Sequence, residues 1–322
     1  MKAGLIFAAS ALLYAMTNSQ AAETFPSRPM RLIIPFPPGG GTDIMGRMVA
    51  QRLTDAFGVQ VVVDNRGGAA GIIGTEMAVK ANPDGHTYMI GSVSTMCINA
   101  ALHKKLPFDT VKDLAPVSLV ASTPSVLVVS NTLAAKSVKE LIALAKAKPG
   151  QLHFASPGSG SSAHLGGELL KQAAGIDIQH VPYKGTGPAV TDLVSGQVAM
   201  FITNMPSVLP MIKANRLRAL AVTSLQRSKL VPDLPTVAES GIPGFEVIVW
   251  YGTFAPAASP KPVLIRVNQE LRKMSEMQDV KDRLSAQGAE AMSSTPDELG
   301  KRVRADLVKW GRIVKASGAK ID

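Results

Sequence analysis

One short stretch near the N-terminus, between Arg31 and Asp43, restricts the fold more than any other part of the chain. An apolar strand pattern, RLII, runs into a loop with two prolines and three glycines, and apolar residues at near-helical spacing follow from Ile44. This order predicts a strand, a tight turn and a helix, with Thr42 at the N-cap position. The first N–H groups of a helix are unpaired and lie at the positive end of its dipole, so the turn is a candidate anion site. A turn that binds nothing is the alternative, and the loop alone does not decide between them.

Neither of two common nucleotide-binding motifs fits this loop. A dinucleotide fingerprint counted from Gly39 requires a glycine at the position of Ile44. A P-loop counted from Gly41 has Arg47 and Met48 where lysine and serine or threonine are required. The loop therefore favours a small anion over a nucleotide, and no cofactor is predicted.

The first 21 residues have the pattern of a cleavable secretory signal. Lys2 precedes an apolar run over residues 3–16, and small residues lead up to Ala21. The run is shorter than the roughly 20 residues that a spanning helix needs, so no stable membrane insertion is expected. Cys97 is the only cysteine, so no internal disulfide can form and no cysteine near the cleavage point can carry a lipid. These features predict an exported protein of the periplasm.

Charge and histidine usage exclude two further classes of protein. The formal net charge is +10, but the basic residues are dispersed, without the clustered patch that nucleic-acid binding requires. Such an excess favours long-range attraction of anions. The five histidines are scattered and show no metal-ligand spacing, so no metal site is predicted.

Strand and helix patterns alternate twice along the chain, which predicts an α/β protein of two lobes. The assigned lobes are residues 22–122 together with 224–322, and residues 123–223. Two crossings are expected between the lobes. The first falls in the long β-branched run of residues 117–130, and the second in the LRALAVTS segment of residues 217–224.

Five loops fall at the carboxyl ends of predicted strands, where open α/β sheets gather ligands. They are rich in glycine and hydroxyl residues, and they contain one carboxylate, Asp43, and one cation, Lys184. Asp43 could instead match the helix dipole, and Lys184 could be solvated. In the loop ASPGSGSSAH, Ser161 or Ser162 would cap the next helix, so that helix N-termini of both lobes face one cleft. The candidate ligand-binding residues are Pro38, Gly39, Gly40, Gly41, Thr42, Asp43, Ser92, Ser94, Thr95, Ser156, Ser159, Ser161, Lys184, Gly185, Thr186, Thr203 and Asn204.

A catalytic interpretation of the second loop fits less well. The hydrolase pattern Gly-x-Ser-x-Gly, counted from Gly160, places Ser162 correctly but has His164 where a glycine is required. An acyl-transfer site also needs a base held by an orienting acid, and no such pair is recognisable. No catalytic residue is therefore assigned, and the chain is not expected to be an enzyme.

With these residues assembled, the chain resembles the Bug-type solute receptors of tripartite tricarboxylate transporters. The resemblance covers nearly the whole chain after the signal sequence and is carried by PFPPGGGTD, VVVDNRGGAAG, ANPDGHTY, VPYKGTGPAV, NMPSVLP and PTVAESGIPGF. It implies a two-lobe flytrap that closes on a carboxylated metabolite, often through bridging waters. The ligand contacts that it implies are Gly40, Gly41, Thr42, Asp43, Ser92, Ser156, Ser161, Lys184, Gly185, Thr186 and Asn204.

One departure from the family pattern bears on the ligand. Thr203 stands where the family often has an aspartate, so an amino acid that needs a partner for its ammonium group is disfavoured. The predicted function is capture of a small di-, tri- or aromatic carboxylate by a monomeric periplasmic receptor, with transient delivery to inner-membrane transporter subunits. A ligand-sensing adaptor for a membrane kinase is the alternative.

Overall fold

The computed structural model describes residues 25–103, 105–229 and 231–317. The predicted signal sequence, residues 1–21, lies outside the described residues. The strands are β1 (Met30–Ile34), β2 (Val61–Asn65), β3 (Thr87–Ser92), β4 (Leu114–Ser130), β5 (Leu152–Ser156), β6 (Ile178–Pro182), β7 (Met200–Asn204), β8 (Leu217–Val222), β9 (Ile248–Pro256) and β10 (Glu290–Ala291). The α-helices are α1 (Gly41–Phe57), α2 (Ile72–Val79), α3 (Asn99–Leu102), α4 (Val138–Ala147), α5 (Ser162–Ala174), α6 (Thr186–Ser195), α7 (Met205–Lys213), α8 (Lys261–Glu276), α9 (Gln278–Ala286) and α10 (Pro296–Ser317).

Strand β4 is shared by two halves of one sheet. In the first half, the order is β2-β1-β3-β9-β4; in the second, it is β4-β7-β5-β6, with β8 also paired to β4. The part of β4 up to Pro124 pairs with β9, and the part from Ser125 pairs with β7 and β8. Each half and its helices form one lobe, which confirms the predicted two-lobe α/β architecture.

The return crossing lies later in the chain than the LRALAVTS segment. Strand β8 pairs with the second half of β4, and β9 makes the return to the first half. Between them, the Thr223 hydroxyl donates to the carbonyls of Ser125 and Val247 at 2.9 and 2.6 Å, which clamps three segments at one point. We call Ser125, Thr223 and Val247 the crossover point. The assigned lobe limits stay a prediction.

Helix α1 is held on the first lobe by a stripe of apolar side chains. Met45, Val49 and Leu53 recur every four residues and are fully buried. On the other side of this lobe, the Trp250 indole N–H donates to Asp306 Oδ2 at 2.6 Å and ties α10 to β9. These contacts hold α1 and β9 in place, and both elements contribute residues to the cleft described below.

The parallel pairings decide where the cleft forms. Strand β1 runs parallel to β2 and β3, and β5 runs parallel to β6 and β7. The carboxyl ends of these strands therefore lie at common sheet edges, where the loops to the following helices meet.

Candidate functional site

Four helix N-termini, from both lobes, meet at one small cavity. Helix α1 comes from the first lobe, and α5, α6 and α7 come from the second. The N-terminus of a helix carries a partial positive charge, so the four together favour an anion. The only ionisable side chain of the lining is the Tyr251 phenol. The lining residues are Phe36, Gly40, Gly41, Thr42, Ser92, Ser94, Pro157, Ser161, Ser162, Thr186, Asn204, Val249 and Tyr251.

The cavity is narrow. The volume that the centre of a water molecule can occupy is about 40 Å³. By the same measure, a single water requires roughly 10–15 Å³. The space between the lobes has room for a few water molecules.

The start of α1 differs from the prediction. Gly40, not Thr42, occupies the N-cap position, and no side chain caps this helix. Thr42 is the second helical residue and lines the cavity. A glycine can hold the extended N-cap conformation without a side chain, so the local pattern of threonine followed by apolar residues was misleading here. The uncapped N–H groups of Gly41 and Thr42 remain available to a ligand.

Gly41 brings the two lobes into close approach. A Cβ atom at this position would overlap the Tyr251 hydroxyl and lie 2.6 Å from Asn204 Oδ1. Both neighbours line the cavity, Tyr251 from the first lobe and Asn204 from the second. Only glycine allows the helix backbone to reach them.

The Asp43 carboxylate fixes the glycine loop instead of lining the cavity. Its oxygens accept the Gly39 N–H at 3.0 Å, the Arg47 guanidinium at 3.0 Å and the Asn65 amide at 2.9 Å. Burial opposes ionisation, but hydrogen bonds from Arg47, Asn65 and Gly39 hold the pKa of Asp43 below its usual value. The geometry thus gives Asp43 a loop-fixing role.

In the second lobe, Ser161 is the residue that caps α5. Its hydroxyl accepts the His164 N–H at 3.3 Å and donates to the Gly158 carbonyl at 2.7 Å. Across the cleft, the Ser94 hydroxyl accepts the Ser162 N–H at 2.9 Å. This hydrogen bond joins the two lobes directly at the cavity.

Two histidines lie beneath this serine loop. His180 Nε2 is 2.6 Å from the Ser156 hydroxyl, and His164 Nδ1 accepts the Gly160 N–H at 3.2 Å. The imidazole rings stack with centroids 4.0 Å apart. Burial and the neighbouring His164 lower the pKa of His180 to about 3. His180 is therefore neutral at physiological pH and supports the loop, a role that its isolated place in the sequence did not indicate.

The structure brings part of the predicted set together. Residues of that set that line the cavity are Gly40, Gly41, Thr42, Ser92, Ser94, Ser161, Thr186 and Asn204. Residues of that set that are not part of this lining are Pro38, Gly39, Asp43, Thr95, Ser156, Ser159, Lys184, Gly185 and Thr203. Of the second group, Lys184 is exposed, and Thr95 is buried with its hydroxyl bonded to the backbone of Ser92. These residues shape loops or face solvent.

Five lining residues lie outside the predicted set: Phe36, Pro157, Ser162, Val249 and Tyr251. Of these, Tyr251 has the polar side chain that is most deeply buried. It lies opposite Ser92 in the register of β3 and β9 and is 1% exposed. Burial raises the pKa of its hydroxyl, so the group stays protonated and can donate. Within the described ranges, this hydroxyl has no hydrogen-bond partner. No sequence signal marks it, because VIVWYGTF reads as an ordinary buried strand.

Two kinds of feature are absent from the described residues. None of the helices is both long and apolar enough to span a membrane. Among the same residues, no group of three or more metal-ligating side chains comes together.

Comparison with known proteins agrees with this geometry. A model of the tripartite tricarboxylate transporter family receptor matches residues 45–319. BugT of Bordetella pertussis is 40% identical over 302 residues, which cover 94% of this chain and 93% of that protein. The structure of R. palustris Rpa4515 with adipate aligns with a TM-score of 0.90 at 33% identity, over 92% of this chain and 100% of that one.

MatC of Rhodopseudomonas palustris with bound malate aligns with a TM-score of 0.85 at 30% identity, over 90% of this chain and 100% of that one. These matches confirm the predicted resemblance and fold class, and the fold is that of receptors, not of enzymes. The chain belongs to the receptor family of the tripartite tricarboxylate transporters, whose members are periplasmic solute-binding proteins.

Proposed function

We propose that this receptor captures a small di-, tri- or aromatic carboxylate between its lobes and delivers it to inner-membrane transporter subunits. One observation carries the proposal: four helix N-termini meet at a cavity whose lining has no carboxylate and no cationic side chain. A carboxylate would be held by N–H and O–H donors there. Uncharged donors avoid the desolvation cost of a buried ion pair and permit release when the lobes open.

The polar groups of the lining act mainly as donors, which suits an acceptor-only ligand. The Asn204 Oδ1 atom already accepts from the Ser207 N–H at 3.3 Å and from its hydroxyl at 2.7 Å, which leaves the Nδ2 group to donate. The Tyr251 phenol is kept protonated by burial. An ammonium group would find few acceptors in this cavity, and this supports an organic acid over an amino acid.

The ligands of related structures point to the same class. Adipate and malate, which occupy two of them, are both dicarboxylates. Opposite helix N-termini, α1 from the first lobe and α5 to α7 from the second, would suit a ligand with an acid group at each end. We therefore place dicarboxylates first among the candidates.

Isothermal titration against adipate, malate, a tricarboxylate and benzoate tests binding. We expect micromolar affinity for at least one dicarboxylate. Asn204→Asp keeps an N-cap residue on α7 but adds a negative charge at the cavity, and it should abolish binding while the protein stays folded. No heat with any acid would contradict the proposal.

Delivery requires a separate experiment. Deletion of the gene for this chain should abolish uptake of the radiolabelled acid identified by titration, and a plasmid copy should restore it. Normal uptake, with a lost transcriptional response to the acid, would favour the sensing alternative. N-terminal sequencing of the exported protein and its elution volume test signal cleavage after Ala21 and the monomeric state.

A further inference from the structure

A second and larger groove lies beside the crossover point. It encloses about 510 Å³, within the range of small-molecule sites. We call it the crossover groove. Its residues are Ser122, Pro124, Ser224, Gln226, Arg227, Ser228, Lys229, Ile248, Lys281, Ser285, Ala289, Glu290 and Ala291.

The groove and the cleft cavity share no residue and lie on opposite faces of β9. Val249 and Tyr251 line the cavity, whereas Ile248 lines the groove. Successive side chains of a strand point to opposite faces, so this alternation separates the two sites by the thickness of the sheet. A ligand in the groove would not compete for space with one in the cleft.

The walls of the groove come from different lobes. One wall is α9 with β10, and β10 pairs with the first half of β4 through Glu290 and Ser122. The other wall is the loop of residues 224–229, which follows β8 in the second lobe. Its floor includes Pro124 and Ile248, each adjacent to the crossover point. Rotation of the lobes would change the width of this groove.

Each wall of the groove carries one lysine without an ion-pair partner among the described residues. Lys281 stands on the α9 wall and Lys229 on the loop wall, and neither ammonium has a hydrogen bond or ion pair within the described part of the chain. Arg227 is already neutralised by Glu239, with Nε 2.9 Å from Oε2. Glu290 is the one carboxylate of the lining. An anion in the groove would be attracted to both of these ammonium groups.

We propose that the crossover groove is a second ligand site, for a small organic anion with an apolar body. The anionic group bridges Lys229 and Lys281. The hydroxyls of Ser122 and Ser285 supply further donors, and Pro124, Ile248 and the two alanines of the lining contact the apolar body. Because the bridge spans both lobes, its occupant favours one lobe angle and thereby couples to binding in the cleft. The site does not depend on the function proposed for the cleft.

The test uses benzoate, titrated calorimetrically at low salt into the Asn204→Asp protein, in which the cleft is closed to anions. Lys229→Ala and Lys281→Ala are made in this background. Lys146→Ala, an exposed lysine on α4, is the matched control for loss of one positive charge. We expect each groove variant to weaken benzoate binding about tenfold, since each removes a charge-assisted hydrogen bond, and the control to leave it unchanged. A bromine peak in the groove from crystals soaked in 4-bromobenzoate would locate the site directly.

Three results would overturn the proposal. They are benzoate binding that disappears with Asn204→Asp alone, binding that neither lysine variant weakens, and no binding at all. Adipate and malate titrations of the singly substituted lysine variants, with Asn204 intact, report on the cleft separately. A result against the groove site can therefore be told apart from a result against carboxylate binding in the cleft.

Discussion

Removal of one hydroxyl group at Tyr251 is the sharpest test of how the cleft holds its ligand. Tyr251→Phe keeps the ring that fills the space between β9 and the start of α1, and it removes only the buried donor. A hydrogen bond to a charged group contributes roughly 1.5–3 kcal/mol. At about 1.4 kcal/mol for each factor of ten, affinity for a dicarboxylate should fall by roughly 10- to 150-fold.

The same substitution should not lower the free energy of unfolding of the protein without ligand. The Tyr251 hydroxyl has no hydrogen-bond partner among the described residues, so the phenylalanine variant loses no internal bond. Because this hydroxyl lines the cavity, its removal leaves no buried protein group without a partner, and such a change is nearly neutral. We expect the free energy of unfolding in urea, without ligand, to remain equal to that of the wild type or to rise slightly.

Tyr88→Phe is the matched control. The Tyr88 hydroxyl is also buried and without a hydrogen-bond partner, but it is not part of the cavity lining. This variant should leave affinity unchanged in titration against the best dicarboxylate of the panel. Equal affinity of wild type and Tyr251→Phe would refute the assignment of Tyr251 as a ligand donor, and an equal loss in both variants would point to a general effect on folding.

Three further predictions concern the cleft and the loop beneath it. Asn204→Asp should weaken carboxylate binding by more than about a hundredfold, measured by titration, since a second anion is brought to an anion site; retained affinity would mean that the acid binds elsewhere. Ser94→Ala removes the interlobe hydrogen bond to Ser162. The free energy of lobe closure should become less favourable by about 1 kcal/mol, which lowers ligand affinity roughly fivefold. As the control, Ser118→Ala changes a buried network with Ser294 and should alter stability without changing affinity. His180 should make the protein less stable in acid: its pKa is lowered to about 3 in the folded protein, against 6.5 for a free histidine, so the unfolded chain binds the proton first. This contribution is fully present above about pH 6.5 and is lost as the pH falls toward 3, with about 2 kcal/mol lost between pH 7 and pH 5 in urea unfolding; an unchanged pH profile in His180→Gln would contradict the assignment.

Local rules were enough for much of the first lobe and for one edge of the cleft. The strand, glycine turn and helix at residues 31–57 follow from apolar spacing and from glycines that break it. Ser161 as a cap of α5 follows from the preference of helix starts for serine. The long run that became β4 was recognisable because it is apolar and rich in valine. These features depend on neighbours in the chain, which a sequence displays directly.

Other parts of the site depend on pairings that no local pattern records. Tyr251 lines the cavity only because β9 pairs antiparallel with β3 and places it opposite Ser92. The need for glycine at position 41 arises from the approach of Asn204, which is 163 residues away in the chain. The sequence by itself determined the elements and the kinds of donor at their ends. The tertiary structure decided which of these donors share a cavity, since strand register and lobe closure are set by packing across the whole molecule.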